Sequence, residues 1–164
     1  MNGKRRDNAW PRCEQPAVSM MSSLPLMMNG RSVVLILDTC ALVFDALDPD
    51  RLSKKATAAI AQADAAGRLA CCDISLWEIA MLVAKGRLDP GTNAQEFIQL
   101  ILAARKIVVI PITPEIAVKS ALAEFCPHGD PADRIIAAST LIHKAKLVTS
   151  DHNLATVSGL QIIW

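Results

Sequence analysis

Five acidic residues of this chain follow predicted strands or begin predicted helices. They are Asp38, Glu78, Asp130, Asp133 and Asp151. Asp38 ends the apolar, β-branched run VVLIL, which is typical of a strand buried on both faces of a parallel sheet. In an open α/β sheet, ligands bind just beyond the carboxyl ends of the strands, and these ends share one edge. The positions therefore predict that the carboxylates converge at that edge.

A carboxylate cluster of this kind favours a bound cation. Closely packed carboxylates repel one another unless a cation occupies the site, and we expect no basic residue beside them. The three histidines lack ligand spacing, and an all-oxygen ligand set favours Mg²⁺ or Mn²⁺ over zinc. One such ion, or two, bound together with substrate phosphate oxygens, suits the hydrolysis of a phosphodiester.

Several residues in the same segments have a structural interpretation beside the functional one. Asp130 is either a metal ligand or only the N-cap of its helix, and this leaves Asp133 the stronger ligand candidate. Trp77 could stack on a base, but apolar packing or a subunit interface is favoured. Arg134 is favoured slightly to pair with an acid rather than with a phosphate. Trp164 is expected to anchor the core or an interface.

Strands and helices alternate along the chain. We predict strands at residues 33–37, 69–74, 107–110, 147–149 and 160–164, and helices at 39–47, 54–66, 76–85, 93–105, 114–125 and 131–144. Ser75 is the predicted N-cap of the third helix, which would place Glu78 in its first turn, and Thr92 with Gln95 matches the capping box of the fourth. The alternation predicts an α/β fold with a central parallel sheet of four to five strands and helices on both faces.

The composition excludes several classes of protein. Of 164 residues, 52% are hydrophobic and 20% charged, which indicates one globular domain and not a disordered chain. No apolar run has the length of a membrane span, and no apolar stretch follows the basic start as a secretory signal requires. The five cysteines are odd in number and lack a C-x-x-C pair, so we expect reduced thiols in a cytoplasmic protein.

Residues 1–32 resemble an appendage to a domain at 33–164. They hold five Lys or Arg against two acids, so the remaining residues carry −2 of the total charge of +1. The domain therefore lacks the basic surface of a protein that binds nucleic acid by charge alone. The appendage is expected to be either a flexible tail or the product of a translation start assigned too early.

Four segments, read VVLILDTCAL, SLWEIA, HGDPADRIIAAS and LVTSD, resemble the motifs of the PIN-domain family in their order. The resemblance covers Val33 to Trp164 and is strongest to the VapC-type toxins of bacterial type II toxin–antitoxin pairs. It implies a PIN-like nuclease domain that acts as a Mg²⁺- or Mn²⁺-dependent endoribonuclease, usually as a homodimer, and is inhibited by a cognate antitoxin. The residues at the acidic and supporting positions of the family are Asp38, Glu78, Asp133 and Asp151, with the hydroxyls of Thr39 and Thr149.

Two other functions are open at this point. A phosphatase or phosphoryl-acceptor domain also uses Asp clusters with Mg²⁺, but it generally needs a lysine near the phosphate. Lys106 and Lys146 precede strands and should lie at the opposite edge. A PIN-like RNA-binding module without activity is disfavoured by the complete acid set. A pocket of carboxylates is also a suitable target for an Arg-bearing segment of an antitoxin.

Overall fold

The computed structural model describes residues 35–122 and 129–164, together with the backbone of 27–28 and 31–32. The strands are β1 (Met27–Met28), β2 (Arg31–Ser32), β3 (Leu35–Leu37), β4 (Leu69–Cys72), β5 (Val108–Ile110), β6 (Lys146–Val148) and β7 (Ile162–Ile163). The helices are α1 (Thr39–Leu47), α2 (Lys54–Ala65), α3 (Asp73–Ala84), α4 (Ala94–Ala104), α5 (Pro114–Ala121) and α6 (Pro131–Ile142). None of these helices is long and apolar enough to cross a membrane.

Five parallel strands form the central sheet in the order β5-β4-β3-β6-β7. The predicted α/β fold is thereby confirmed. β1 and β2 pair separately as a short antiparallel ladder. β3 lies in the middle of the large sheet, and the amide of Asp38 continues its pairing by donating to the carbonyl of Val148 at 3.0 Å. The first candidate acid therefore lies at the centre of the carboxyl edge.

Alternating side chains of the strands build two cores, one on each face of the sheet. Leu35 and Leu37 pack with residues of α1, α2 and α4, whereas Ile36 packs with residues of α5 and α6. Cys71 and Cys72 likewise belong to opposite faces, as the period of a strand predicts. Burial raises the pKa of both thiols to about 12, so they are inert in the reduced form. Cys13 and Cys126 lie outside the described residues.

Helix α3 begins earlier than predicted. β4 ends at Cys72, and Asp73 is the first helical residue, so the prediction of Ser75 as N-cap is wrong. The cause is a contact from far along the chain, because Oδ2 of Asp73 accepts a hydrogen bond from the amide of Ile112 at 2.9 Å. Ser75 is instead fully buried inside the helix, and Glu78 lies in its second turn.

Two other helix ends also differ from the prediction. Asn93, and not Thr92, caps α4 by accepting from the amide of Glu96, while the Thr92 hydroxyl donates to the carboxylate of the same residue. α5 ends at Ala121 instead of continuing to residue 125, and residues 123–128 are outside the described part of the chain. At the carboxyl end of α5, the guanidinium of Arg134 donates to the carbonyls of Ser120 and Leu122, each at 2.6 Å.

A partly buried ion cluster ties three helices together on one side of the sheet. Arg105, the C-cap of α4, donates to both carboxylate oxygens of Asp45 on α1, at 2.6 and 2.8 Å. It also donates to Asp64 on α2 at 3.3 Å. Paired guanidinium and carboxylate groups in this two-pronged geometry form stronger hydrogen bonds than neutral groups do.

We expect Arg105→Gln to lower the free energy of unfolding by about 1–3 kcal/mol, since three charge-assisted hydrogen bonds are lost and the half-buried Asp45 is left without its cation. Urea titration followed by circular dichroism measures this change. The matched control is Lys55→Gln on the exposed face of α2, which should stay within about 0.5 kcal/mol of wild type. Equal stability of the two variants would contradict a structural role for the cluster.

Candidate active site

A cleft of about 570 Å³ opens at the carboxyl edge of the sheet. Four of the five candidate acids line it: Asp38, Glu78, Asp133 and Asp151. They come from the end of β3, from α3, from α6 and from the segment after β6. We call this feature the acidic cleft, and it is where the parallel sheet was predicted to bring the carboxylates together.

Asp38 is the most enclosed of these acids, with only 6% of its surface exposed. Its Oδ1 accepts from the amide of Thr39 at 2.6 Å. Its Oδ2 accepts from the hydroxyl of Thr149 at 2.7 Å and from the thiol of Cys40 at 3.1 Å. Burial raises the pKa of Asp38, while these three donors act against the shift by stabilising the ionised form. The carboxylate is therefore held in one orientation.

Two buried threonines connect the acids to one another. The hydroxyl of Thr39 donates to Oε2 of Glu78 at 2.5 Å, while its amide binds Asp38. The hydroxyl of Thr149 donates to Asp38 and accepts from the amide of Asp151 at 3.0 Å. The two predicted supporting residues thus link the carboxylate of Asp38 to that of Glu78 and to the backbone of Asp151, and these contacts hold the acids in a fixed arrangement.

The pKa of the Asp133 carboxyl is strongly shifted in the cleft. Its pKa is raised to about 7, first by burial and then by the charges of Asp38, Asp130, Asp151 and Glu78. Among the described residues, no hydrogen bond to its carboxylate offsets this cost. A half-buried acid that faces four other acids is the kind of group whose ionisation a bound cation favours.

Asp130 lies at the border of the cleft. It is exposed, and its Oδ1 accepts from the amide of Ala132 at 2.8 Å, which makes it the N-cap of α6. It does not line the acidic cleft but lines a neighbouring pocket that shares Glu78. Its charge nevertheless raises the pKa of both Glu78 and Asp133. The capping role is therefore structural fact, and a second role as metal ligand stays a prediction.

The donors of the cleft fit a hard divalent cation by their chemistry. All are carboxylate or hydroxyl oxygens, and the charges of neighbouring acids contribute to the raised pKa of Asp38, Glu78 and Asp133. Within residues 35–122 and 129–164, no three Asp, Glu, His or Cys side chains form a ready-made metal cage. Mg²⁺ does not require one, because it is usually held by one or two carboxylates and keeps several waters. The four acids of the cleft are thus suitable ligands for Mg²⁺ or Mn²⁺.

Two arginines line the same cleft, contrary to the expectation that no basic residue lies beside the acids. They are Arg51, from the short 3₁₀ turn Pro49–Arg51, and Arg87, from the turn after α3. The guanidinium carbon of Arg51 lies 3.8 Å from the centre of the Phe44 ring. In the described structure, neither arginine forms an ion pair with a carboxylate. No sequence pattern indicates their position, because both approach the cleft only through the turns that follow α1 and α3.

The remaining candidates have mixed outcomes. Arg134 donates to backbone carbonyls at the end of α5, and its pairing with an acid stays a prediction. Trp164 packs against the core on the side of the sheet that α1, α2 and α4 cover, with its ring centre 6.4 Å from that of Phe44. This contact confirms the predicted core anchor. Trp77 is 60% exposed, so it does not pack in the core, and an interface or a base-stacking role stays a prediction.

The parallel α/β sheet and its carboxylate-lined cleft define a class of domains that concentrate acids at the ends of their strands. The sequence pattern of one such family, described as the PIN domain, matches residues 35–160. The chain belongs to this PIN domain family, and the resemblance to the family is confirmed.

Individual relatives agree with this assignment. Ribonuclease VapC22 of Mycobacterium tuberculosis is 32% identical over 120 residues, which cover 73% of this chain and 88% of that protein. The structure of VapBC2 from Rickettsia felis bound to a DNA fragment from their promoter matches with a TM-score of 0.61 at 15% identity, over 79% of this chain and 97% of that chain. A toxin-antitoxin complex from Klebsiella pneumoniae matches with a TM-score of 0.52 at 21% identity, over 77% of this chain and 94% of that chain. These structures share the fold.

The raised pKa of Asp133 predicts a pH-dependent gain in stability from Asp133→Asn in EDTA. Its carboxyl titrates near 3.8 in the unfolded chain and near 7 in the folded one, so ionisation costs stability in full above pH 7. This cost falls away as the pH drops from about 7 towards 3.8. Thermal unfolding of both proteins from pH 4 to 8 measures it.

We expect the variant to unfold at a higher temperature than wild type at pH 8, with the gap closing at acidic pH. Saturating Mg²⁺ should narrow the gap at pH 8 by neutralising the wild-type carboxylate. A gap that is constant with pH would contradict the electrostatic origin of the shift.

Proposed function

We propose that this PIN-domain protein is a Mg²⁺- or Mn²⁺-dependent endoribonuclease of the VapC type, which hydrolyses RNA phosphodiesters. The observation that carries the proposal is the acidic cleft, in which Thr39 and Thr149 link the carboxylate of Asp38 to the carboxylate of Glu78 and to the backbone of Asp151. The relative named Ribonuclease VapC22 supports RNA as the substrate.

Each residue of the cleft has a role in the proposed reaction. Asp38, Glu78, Asp133 and Asp151 would hold the cation, which when bound supplies a Lewis acid for the phosphate and lowers the pKa of a bound water. Asp38 keeps one orientation through its three donors. The threonine hydroxyls fix the spacing of the acids, so the site changes little when the substrate arrives.

The phosphoryl-acceptor alternative has less support. Lys146 opens β6 and Lys106 precedes β5, so both belong to the amino edge of the sheet, away from the acidic cleft. The cleft instead contains arginines, which bind phosphate as planar forks. This arrangement suits a polyanion such as RNA.

Asp38→Asn and Glu78→Gln should each lower metal-dependent RNA cleavage by more than about 100-fold, since losing even an indirect support of a metal site costs about 10–100-fold. The assay is cleavage of structured RNA in Mg²⁺ or Mn²⁺, with EDTA as the metal-free reference. Glu115→Gln on the exposed face of α5 is the charge-matched control and should keep wild-type activity. Cleavage that persists in EDTA, or in Asp38→Asn, would overturn the metal mechanism.

Thr149→Val tests the hydroxyl bridge separately. It removes the donor to Asp38 and the acceptor for the amide of Asp151, so we expect cleavage to fall by about 10–100-fold. Thr149→Ser keeps the hydroxyl and should recover most of the activity. If the valine and serine variants cleave RNA equally well, the hydroxyl does not support the site.

We also propose that the protein is a toxin with a cognate antitoxin and acts in the cytoplasm as a homodimer. An arginine of the antitoxin would bind the carboxylates of the cleft, because guanidinium forks match carboxylates in two-pronged pairs. The likeness to the VapBC2 and Klebsiella pneumoniae complexes supports a protein partner.

Co-expression with the protein encoded by the neighbouring gene tests the partner. We expect the two proteins to co-purify and RNA cleavage to be inhibited until they are separated. Light scattering on the separated protein should give the mass of a dimer. An unbound neighbour, or a complex that cleaves RNA at the free rate, would count against the toxin assignment.

A further inference from the structure

Arg51 and Arg87 bring positive charge to a cleft that otherwise holds acids. Both are exposed residues, and both line the cavity that contains the four carboxylates. Each also has a fixed backbone. The amide of Arg51 donates to Asp48 at 3.0 Å, and that of Arg87 donates to Leu82 at 2.9 Å. The two side chains are therefore presented from turns that are anchored to the helices before them.

The guanidinium of Arg51 stacks on the aromatic ring of Phe44. It lies 3.8 Å from the centre of the Phe44 ring, and Phe44 packs against Trp164 on the side of the sheet that α1, α2 and α4 cover. The next residue, Leu52, is buried and fixes the turn from its other side. An arginine that is stacked in this way loses less freedom when it binds an anion, which favours binding.

Ion pairs within the described residues do not account for these two arginines. Arg105 pairs with Asp45 and Asp64, and Arg134 caps the carbonyls at the end of α5. For Arg51 and Arg87, no ion pair occurs within the described residues, although four carboxylates line the same cleft. Their guanidinium donors thus remain available to an anion that enters the cleft.

We propose that Arg51 and Arg87 form a phosphate-binding subsite for the RNA backbone beside the cleaved bond. The inference rests on the proposed function. A cation on the acids would serve the phosphate that is cleaved, but the neighbouring phosphates of an RNA strand would face carboxylates without compensation. Guanidinium groups on the wall of the same cleft bind such phosphates and set the register of the strand. The same pair would make the cleft selective for oligonucleotides over small phosphodiesters.

The test compares Arg51→Gln, Arg87→Gln and the control Lys55→Gln, which removes one charge from the exposed face of α2. Two substrates are used in Mn²⁺: a single-stranded RNA and bis(p-nitrophenyl) phosphate, which carries no flanking phosphate. We expect each arginine variant to lose about 10-fold or more in kcat/KM on RNA, mainly through KM, and to hydrolyse the small ester at the wild-type rate. Lys55→Gln should match wild type on both substrates.

RNA binding gives a readout that does not depend on cleavage. Fluorescence anisotropy in an Asp38→Asn background measures affinity against salt concentration, and each lost phosphate contact should reduce the slope of log K against log salt by about one. Arg51→Lys keeps the charge but not the planar fork, so its slope should match the background while its KM lies between those of wild type and Arg51→Gln.

The outcomes separate this inference from the proposed function. If wild type cleaves RNA and both arginine variants keep its KM and salt slope, the subsite is wrong and the nuclease stands. If wild type binds RNA with an arginine-dependent slope but cleaves nothing with any metal, the subsite stands and the nuclease is wrong. If the variants bind RNA normally but no longer co-purify with the neighbouring protein, the arginines serve a protein carboxylate, which overturns the subsite.

Discussion

The structure depends on holding mutually repelling carboxylates at one edge of a parallel sheet. Asp38 sits at the end of the central strand, almost removed from water, where an ionised acid is stable only with partners. The amide of Thr39, the hydroxyl of Thr149 and the thiol of Cys40 supply them. This set of donors comes from the start of α1 and from the residue after β6, so the acid and the pairing of β3 with β6 stabilise each other.

The other acids are arranged around this fixed point. Thr39 links Asp38 to Glu78, and Thr149 links it to the backbone of Asp151, which leaves Asp133 as the acid without such a link in the described structure. Asp133 therefore bears the electrostatic cost of the cluster without such a link, and its pKa rises to about 7. An acid in this position is the kind of group that a bound cation would stabilise.

The sequence predicted the parts of the site that depend on local pattern. The run VVLIL identified β3, its end located Asp38, and the period of β4 assigned Cys71 and Cys72 to opposite faces. The parallel topology then brought four distant acids to one cleft. These features follow from strand periodicity and from the shared edge of parallel strands, both of which can be read along the chain.

Features set by contacts between distant segments could not be read in this way. At the start of α3, the carboxylate of Asp73 accepts a hydrogen bond from the amide of Ile112. At the end of α5, the guanidinium of Arg134 donates to a backbone carbonyl. Arg51 reaches the cleft because a short turn lays it on Phe44. Asp73 and Arg134 contact residues far away in the sequence, and the stacking of Arg51 depends on the path of its turn, so no local pattern indicates these contacts.

Calorimetric titration of Mn²⁺ into the metal-free protein near pH 7, repeated in two buffers of different ionisation enthalpy, tests the central claim most directly. Our account predicts saturable binding with release of a fraction of a proton, because Asp133 is partly protonated at this pH and must ionise beside the cation. The same titration of Asp133→Asn should release less. Absence of saturable binding by the wild-type protein would contradict the conclusion that the acidic cleft is a metal site.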